Sequence, residues 1–176
     1  APGSGKTALL ERTIREIGGE IPIAVIEGDQ ATGHDAERVR AAGAPVVQIN
    51  TGRGCHLDAT MVADALRELD PPPGARVLIT DVGHRVWPSR FALGAAVRVA
   101  LVSVPEGDDK PIKYPDMFRA ADVLVVSKID LLPHVRFDVE RCVGWAQGVN
   151  PRLRVVLLSA ETGEGMAGWY ELLRSS

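Results

Sequence analysis

A glycine-rich turn running straight into an amphipathic helix constrains this chain more than any other feature. Its first residues are Ala1-Pro2-Gly3-Ser4-Gly5-Lys6-Thr7, and Leu10, Ile14 and Ile17 follow at helical spacing. This is the pattern G-x-x-x-x-G-K-[ST] from its second position onward. Such a loop joins a strand to a helix. Its consecutive backbone N–H groups form a concave nest for anionic oxygens, and the helix adds the positive end of its dipole. Gly3 and Gly5 permit turns and close approaches that a Cβ would block. Lys6 would reach the β- and γ-phosphates, and the Thr7 hydroxyl would ligate Mg²⁺. The residues therefore point to a nucleoside triphosphate. The leading residue of the pattern and the strand that feeds the loop are not in the sequence. Ala1 is thus not expected to be the natural start, and the loop should bind nucleotide more weakly than one with its strand.

The 176 residues suffice for one domain with a real core, and 45% hydrophobic with 24% charged residues is ordinary globular composition. A net charge of -3 provides no basic field, which argues against nucleic-acid binding. No apolar run approaches a membrane span. Two cysteines make no disulfide framework and fit a reducing, cytoplasmic setting.

Beyond the loop, strand and helix patterns alternate. Short apolar runs at 21–26, 46–49, 76–80, 97–104, 122–126 and 153–158 read as buried strands. Helical spacing marks 35–42, 57–69, 139–146 and 166–173. Near-continuous apolar strands separated by helices predict a three-layer α/β fold of the P-loop NTPase type, with a mostly parallel sheet and 1–176 as a single domain. Ligands of such sheets lie beyond the C-terminal strand ends. Glu27-Gly28-Asp29, Asp81-Val82-Gly83 and Ser127-Lys128-Ile129-Asp130 each fall at one of those ends.

Ser127-Lys128-Ile129-Asp130 resembles the [NT]-K-x-D guanine-reading motif of GTPases. The Asp130 carboxylate would accept from the ring N–H and exocyclic amine of guanine, a pair of donors that adenine lacks. The stem of Lys128 would lie along the base. Ser127 stands where Asn or Thr is usual; its hydroxyl reaches less far than an amide, so lower affinity is expected. Ser159-Ala160, after the last strand, matches the second base-contacting loop.

Further stretches carry a more specific resemblance. They are Ala24-Val25-Ile26-Glu27-Gly28-Asp29-Gln30, Gln48-Ile49-Asn50-Thr51-Gly52, Gly54-Cys55-His56-Leu57-Asp58-Ala59, Glu106-Gly107-Asp108-Asp109-Lys110-Pro111 and Lys113-Tyr114-Pro115. With them the chain resembles, over essentially its whole length, the hydrogenase nickel-insertion GTPases of the HypB type. The resemblance implies a slow, Mg²⁺-dependent GTPase that binds GTP and GDP and dimerises with GTP. It also implies a role in inserting nickel into [NiFe]-hydrogenase, beside a small nickel- and zinc-binding chaperone of the HypA type and the hydrogenase large subunit. Related GTPases serving urease or a cobalamin enzyme are the nearest alternative. A nucleotide-binding regulatory protein without metal is another.

In the resembled family the Cys-His pair, here Cys55 and His56, joins a second cysteine after the Walker-B strand to bind nickel or zinc. Trp87 stands in the place of that cysteine. The site could persist with His84 as a ligand, shrink to a two-ligand patch, or be lost. Cys55-His56 reads as opening the helix that runs to Leu69, where the dipole would favour the thiolate. Thr7 and Asp29 are the expected Mg²⁺ holders. Asp81 would support the metal's outer shell or orient the attacking water, and Gly83 would bring a backbone N–H to the γ-phosphate. Lys6, Asp29, Asp81 and Gly83 are thus the catalytic candidates, with Arg85 and Arg90 as possible fingers. The charged segment 106–115 is either a solvated loop or a switch. Cys142, on an apolar helical stripe, is expected in the core.

Overall fold

The computed structural model describes residues 3–28, 33–50, 57–81 and 97–176, with the backbone alone at Asp81. It divides into two compact units, Lys6–Gly83 and Ala1–Gly5 with His84–Ser176.

In the first unit α1 (Lys6–Ile17) is followed by β1 (Ile23–Gly28), α2 (Gly33–Ala42), β2 (Val46–Gln48), α3 (Ala59–Leu69) and β3 (Arg76–Asp81). The strands are all parallel in the order β2-β1-β3. Central β1 is buried along its entire length, as its apolar run demands. α1 buries Leu9, Leu10, Ile14 and Ile17 on one stripe. It is tied to α2 by the fork of Arg38, whose Nε and Nη2 donate to the Glu11 carboxylate at 3.2 and 2.6 Å. α3 starts later than its sequence suggests. The Asp58 carboxylate accepts from Met61 N–H at 2.8 Å and caps the helix. Cys55 and His56 therefore precede the helix, and the expectation that they open it is corrected. A short acidic side chain at 58 competes for the first free N–H groups and so sets the start there.

The second unit contains β4 (Val99–Ser103), α4 (Lys110–Lys113), α5 (Pro115–Arg119), β5 (Val123–Ser127), α6 (Val139–Val149), β6 (Arg154–Leu157) and α7 (Met166–Ser175). The sheet is again parallel, β4-β5-β6, with β5 wholly buried at its centre. Val102, Val104, Phe118, Leu124, Val126, Ala146 and Leu153 form one core cluster. Full burial of a side chain such as Phe118 contributes about 1.5–3 kcal/mol. Cys142 is buried on α6, as its stripe position predicts. Among the described residues no helix is long and apolar enough to cross a membrane.

The segment 106–115 is not a solvated loop. A 3-10 turn (Val104–Glu106) leads into α4, and Asp108 and Lys110 are buried. The charges are absorbed by partners. Lys110 Nζ donates to Glu106 Oε1 at 2.9 Å, while Glu106 Oε2 accepts from Ser103 N–H and Oγ–H at 2.8 and 2.9 Å. Asp108 Oδ2 accepts from Asp138 N–H at 2.9 Å and Arg141 Nη2 at 2.7 Å. Burial alone would raise the Glu106 carboxyl, but Ser103 and the Lys110 ammonium outweigh it and hold it below its usual value. Asp108 is likewise held low, first by the Asp138 N–H and, against burial, by Arg141.

Candidate functional site

The glycine-rich loop begins in the backbone geometry that its sequence requires. Gly3 and Gly5 have φ of 82° and 84°, where a side chain would be strained. Between them Ser4 is buried. Two side chains from the end of β5 hold this half of the loop. Ser127 Oγ donates to the Ser4 carbonyl at 2.8 Å, and Lys128 Nζ donates to the Gly3 carbonyl at 2.7 Å. Lys128 adopts a left-handed backbone, φ 60° and ψ 37°. That turn lets the side chain face the loop while Asp130 follows in a 3-10 turn, Ile129–Leu131.

Ser127 thus has a role that its sequence context did not reveal. Its hydroxyl is short but needs no greater reach, because Ser4 lies across 123 residues of chain and directly beside it. The Ser4 hydroxyl is buried without a hydrogen-bond partner among the described residues. An unpaired polar atom inside a loop of this type fits a site completed by a ligand.

Ser159 does not merely flank the base loop. It is fully buried, its Oγ donates to Asp130 Oδ1 at 2.7 Å, and the same oxygen accepts from Thr162 N–H at 3.1 Å. Main-chain bonds lock the turn that carries it: Ser159 N–H to the Glu164 carbonyl at 2.8 Å and Gly163 N–H to the Ser159 carbonyl at 2.9 Å. The turn orients the Asp130 carboxylate. Ala160 follows, half-buried.

These contacts join a phosphate-binding loop to a guanine-reading motif. A family model described as "CobW/HypB/UreG, nucleotide-binding domain" matches residues 1–157. The chain belongs to the CobW/HypB/UreG family. It is 58% identical over 96% of its length to the hydrogenase maturation factor HypB of Azotobacter vinelandii, covering 56% of that protein. It is 38% identical over 98% of its length to the hydrogenase/urease maturation factor HypB of Helicobacter pylori, covering 72% of it. Among solved structures, HypB from Archaeoglobus fulgidus superposes with a TM-score of 0.87 at 39% identity, covering 99% of this chain and 85% of that one. The Helicobacter pylori HypB structure in complex with nickel gives 0.86 at 35% identity, covering 99% and 82%. The chain spans between 55% and 59% of the first three curated HypB relatives it matches.

In the first unit Lys6 begins α1 and Thr7 lies in its first turn. The Thr7 hydroxyl donates to Asp35 Oδ1 at 3.2 Å. Asp35, in the first turn of α2, was not among the residues singled out by sequence. Its one signal there is an acidic side chain opening a helix soon after Glu27-Gly28-Asp29, which also fits ordinary dipole compensation. A hydroxyl and a carboxylate this close offer oxygen donors that suit a hard divalent cation. Asp29 lies outside the described residues. Asp81 ends β3, with its backbone in register with Gly28. Cys55, His56, Gly83, His84, Arg85, Trp87 and Arg90 also lie outside the described residues. Among the described residues no group of three or more His, Cys, Asp or Glu could hold a metal ion.

Proposed function

We propose that this chain is the GTP-binding and GTP-hydrolysing domain of a hydrogenase maturation factor, handling nickel on its way into a [NiFe] centre. The observation that carries the nucleotide half is the pair of contacts from Ser127 and Lys128 to the P-loop, with Asp130 held by Ser159 two residues further on. They support reading 127–130 as a guanine reader braced against the start of a phosphate cradle. The family model spans both units, which supports reading 1–176 as a single nucleotide-binding domain.

In this reading the loop N–H groups and Lys6 bind the phosphates, and catalysis consists of positioning and charge neutralisation. Bound Mg²⁺ supplies charge neutralisation on the phosphate oxygens, and Thr7, Asp35 and Asp29 are the residues that would hold it. Asp81 orients the attacking water, and the Gly83 N–H approaches the γ-phosphate. Cys55 and His56, with His84 as a third candidate, take up nickel or zinc as cargo. A GTP-dependent homodimer, a small nickel- and zinc-binding chaperone of the HypA type and the large hydrogenase subunit are the proposed partners, in the cytoplasm. Urease is the alternative client, supported by the name of the Helicobacter pylori relative.

Two measurements test this reading. Asp130→Asn reverses the hydrogen bonding to the base. It should cost GTP roughly 10²- to 10⁴-fold in affinity, the value of two charge-assisted hydrogen bonds at about 1.5–3 kcal/mol each, and favour XTP. Unchanged GTP preference overturns the base assignment. Titration of Ni(II) and Zn(II) into the parent and Cys55→Ala proteins tests the cargo. A parent that binds neither ion at micromolar concentration overturns the metal half.

A further inference from the structure

Two polar rungs, one helical turn apart, join α1 to α2. Thr7 and Glu11 are four residues apart on α1, and Asp35 and Arg38 are three apart on α2, so each pair shares a face of its helix. At the first rung the Thr7 hydroxyl donates to Asp35 Oδ1 at 3.2 Å, long for an O–H···O bond. At the second, Arg38 Nε and Nη2 donate to the Glu11 carboxylate at 3.2 and 2.6 Å. Glu11 is the more enclosed partner, its side chain 13% exposed against 41% for Arg38.

The rungs are not independent, because Arg38 lies within reach of both carboxylates. Its Nη1 is 3.9 Å from Asp35 Oδ1, the oxygen that accepts from Thr7. At that distance there is attraction but no hydrogen bond. The guanidinium presents its donors in one rigid plane, and Glu11 takes two of them, including the shortest contact. The orientation that satisfies Glu11 is thus the one that leaves Asp35 without a bond from Arg38. Without the Glu11 charge, the same guanidinium can turn onto Asp35 and complete the pair on its own helix. An arginine bonded there cancels the charge, and takes up the oxygen, that a divalent cation needs.

We propose that Glu11 is a positioning residue: by holding Arg38 it keeps the guanidinium off Asp35 and so preserves the cation affinity of the Thr7–Asp35 pair. This rests on the reading of that pair as a holder of the nucleotide's divalent cation. Glu11 acts only through Arg38. The effect is that of one ion pair at a half-exposed position, about 5-fold in cation affinity. The plain alternative is a brace, since α2 has ten residues and buries only Ala36 and Val39. The two roles differ over Arg38. For a brace, losing either partner of the fork is equivalent. For a residue that sequesters Arg38, losing the arginine spares the cation and abolishes the effect of losing Glu11.

The experiment is Mn(II) titration, followed by the paramagnetic resonance of the free ion, of protein loaded with an equimolar non-hydrolysable GTP analogue. The variants are Glu11→Gln, Arg38→Met, Glu11→Gln/Arg38→Met and Asp35→Asn, each also followed by thermal unfolding. Glu11→Gln should weaken Mn(II) binding by about 5-fold. Arg38→Met should bind at least as tightly as the parent, and the double variant should match Arg38→Met within roughly twofold. The melting temperatures of Glu11→Gln and Arg38→Met should fall alike, because each breaks the same fork, while only the first loses cation affinity. Parent affinity in Glu11→Gln, or equal losses in both single variants and the double, overturns the proposal and leaves the cation reading standing. A parent that binds Mn(II) no more tightly than the free nucleotide does, or an Asp35→Asn protein with parent affinity, overturns the cation reading of Thr7–Asp35 and the proposal with it.

Discussion

Ser127→Ala isolates the hydrogen bond by which the base-reading segment holds the phosphate loop. The hydroxyl donates to the Ser4 carbonyl at 2.8 Å, and both residues are buried, at 3% and 1% exposure. Water cannot readily replace the lost donor, so the carbonyl bears the cost of an unmet buried acceptor, about 1–3 kcal/mol. If the loop in the free protein relaxes to find another donor, nucleotide binding must reimpose the unsatisfied geometry. The cost then appears in affinity, as roughly 5- to 150-fold weaker binding. If the loop does not relax, the cost appears in stability, as a fall in melting temperature of about 2–4 °C per kcal/mol for a chain of this size. GTP and GDP should suffer alike, because both use the same loop. Lys128→Met is the comparison. Its bond to the Gly3 carbonyl is exposed at 2.7 Å, so removing it should cost only about 0.5–1.5 kcal/mol. Isothermal titration with both nucleotides, together with urea unfolding of the free protein, measures the two outlets. Affinities within twofold of the parent and stability within about 0.5 kcal/mol would refute the anchoring role.

Three further outcomes are expected. Gly165 opens α7 at φ 73°, and a Cβ there would lie 1.8 Å from the Leu157 carbonyl oxygen. Gly165→Ala should therefore destabilise by about 2–4 kcal/mol in urea unfolding and loosen the turn behind Ser159; a neutral effect would show that the turn has another conformation. The Asp108 carboxyl is held below its usual 3.8 by the Asp138 N–H and Arg141. A depressed carboxyl stabilises the fold above its unfolded value and loses that contribution as pH falls through its folded value. The stability gap between the parent and Asp108→Asn should thus be full at neutral pH and shrink below about pH 4, when unfolding is followed across pH. Burial, with a smaller push from the Asp108 carboxylate, raises the Cys142 thiol to about 11. At pH 8 only roughly one molecule in a thousand would carry its thiolate, so mass spectrometry after alkylation should find Cys142 unmodified until the protein is denatured.

Much of this protein could be read from sequence because its signals are local. A parallel strand buried on both faces is mostly apolar, so the runs at 21–26 and 122–126 announce themselves. The P-loop is legible because its chemistry is contiguous in the chain. Local signals also misled. The proximity of Cys55-His56 to a helical stripe suggested that they open the helix, whereas the Asp58 side chain sets its start at Ala59. Alternating charges at 106–115 left a solvated loop and a switch equally open, whereas in the structure Ser103 holds Glu106, and Asp138 and Arg141 hold Asp108.

By itself the sequence determined the alternation of strand and helix, the nucleotide class, and the residues proposed to meet phosphate and guanine. Each of these is written in residues adjacent in the chain or repeated at a fixed period. The tertiary structure alone decided which of those residues act together. Ser127 with Ser4, Thr7 with Asp35 and Ser159 with Asp130 are pairs separated by 123, 28 and 29 positions. No periodicity or motif spacing encodes such pairings. They exist because, within each unit, parallel strands bring their C-terminal ends to the same edge of their sheet, and folding alone places one loop beside another there.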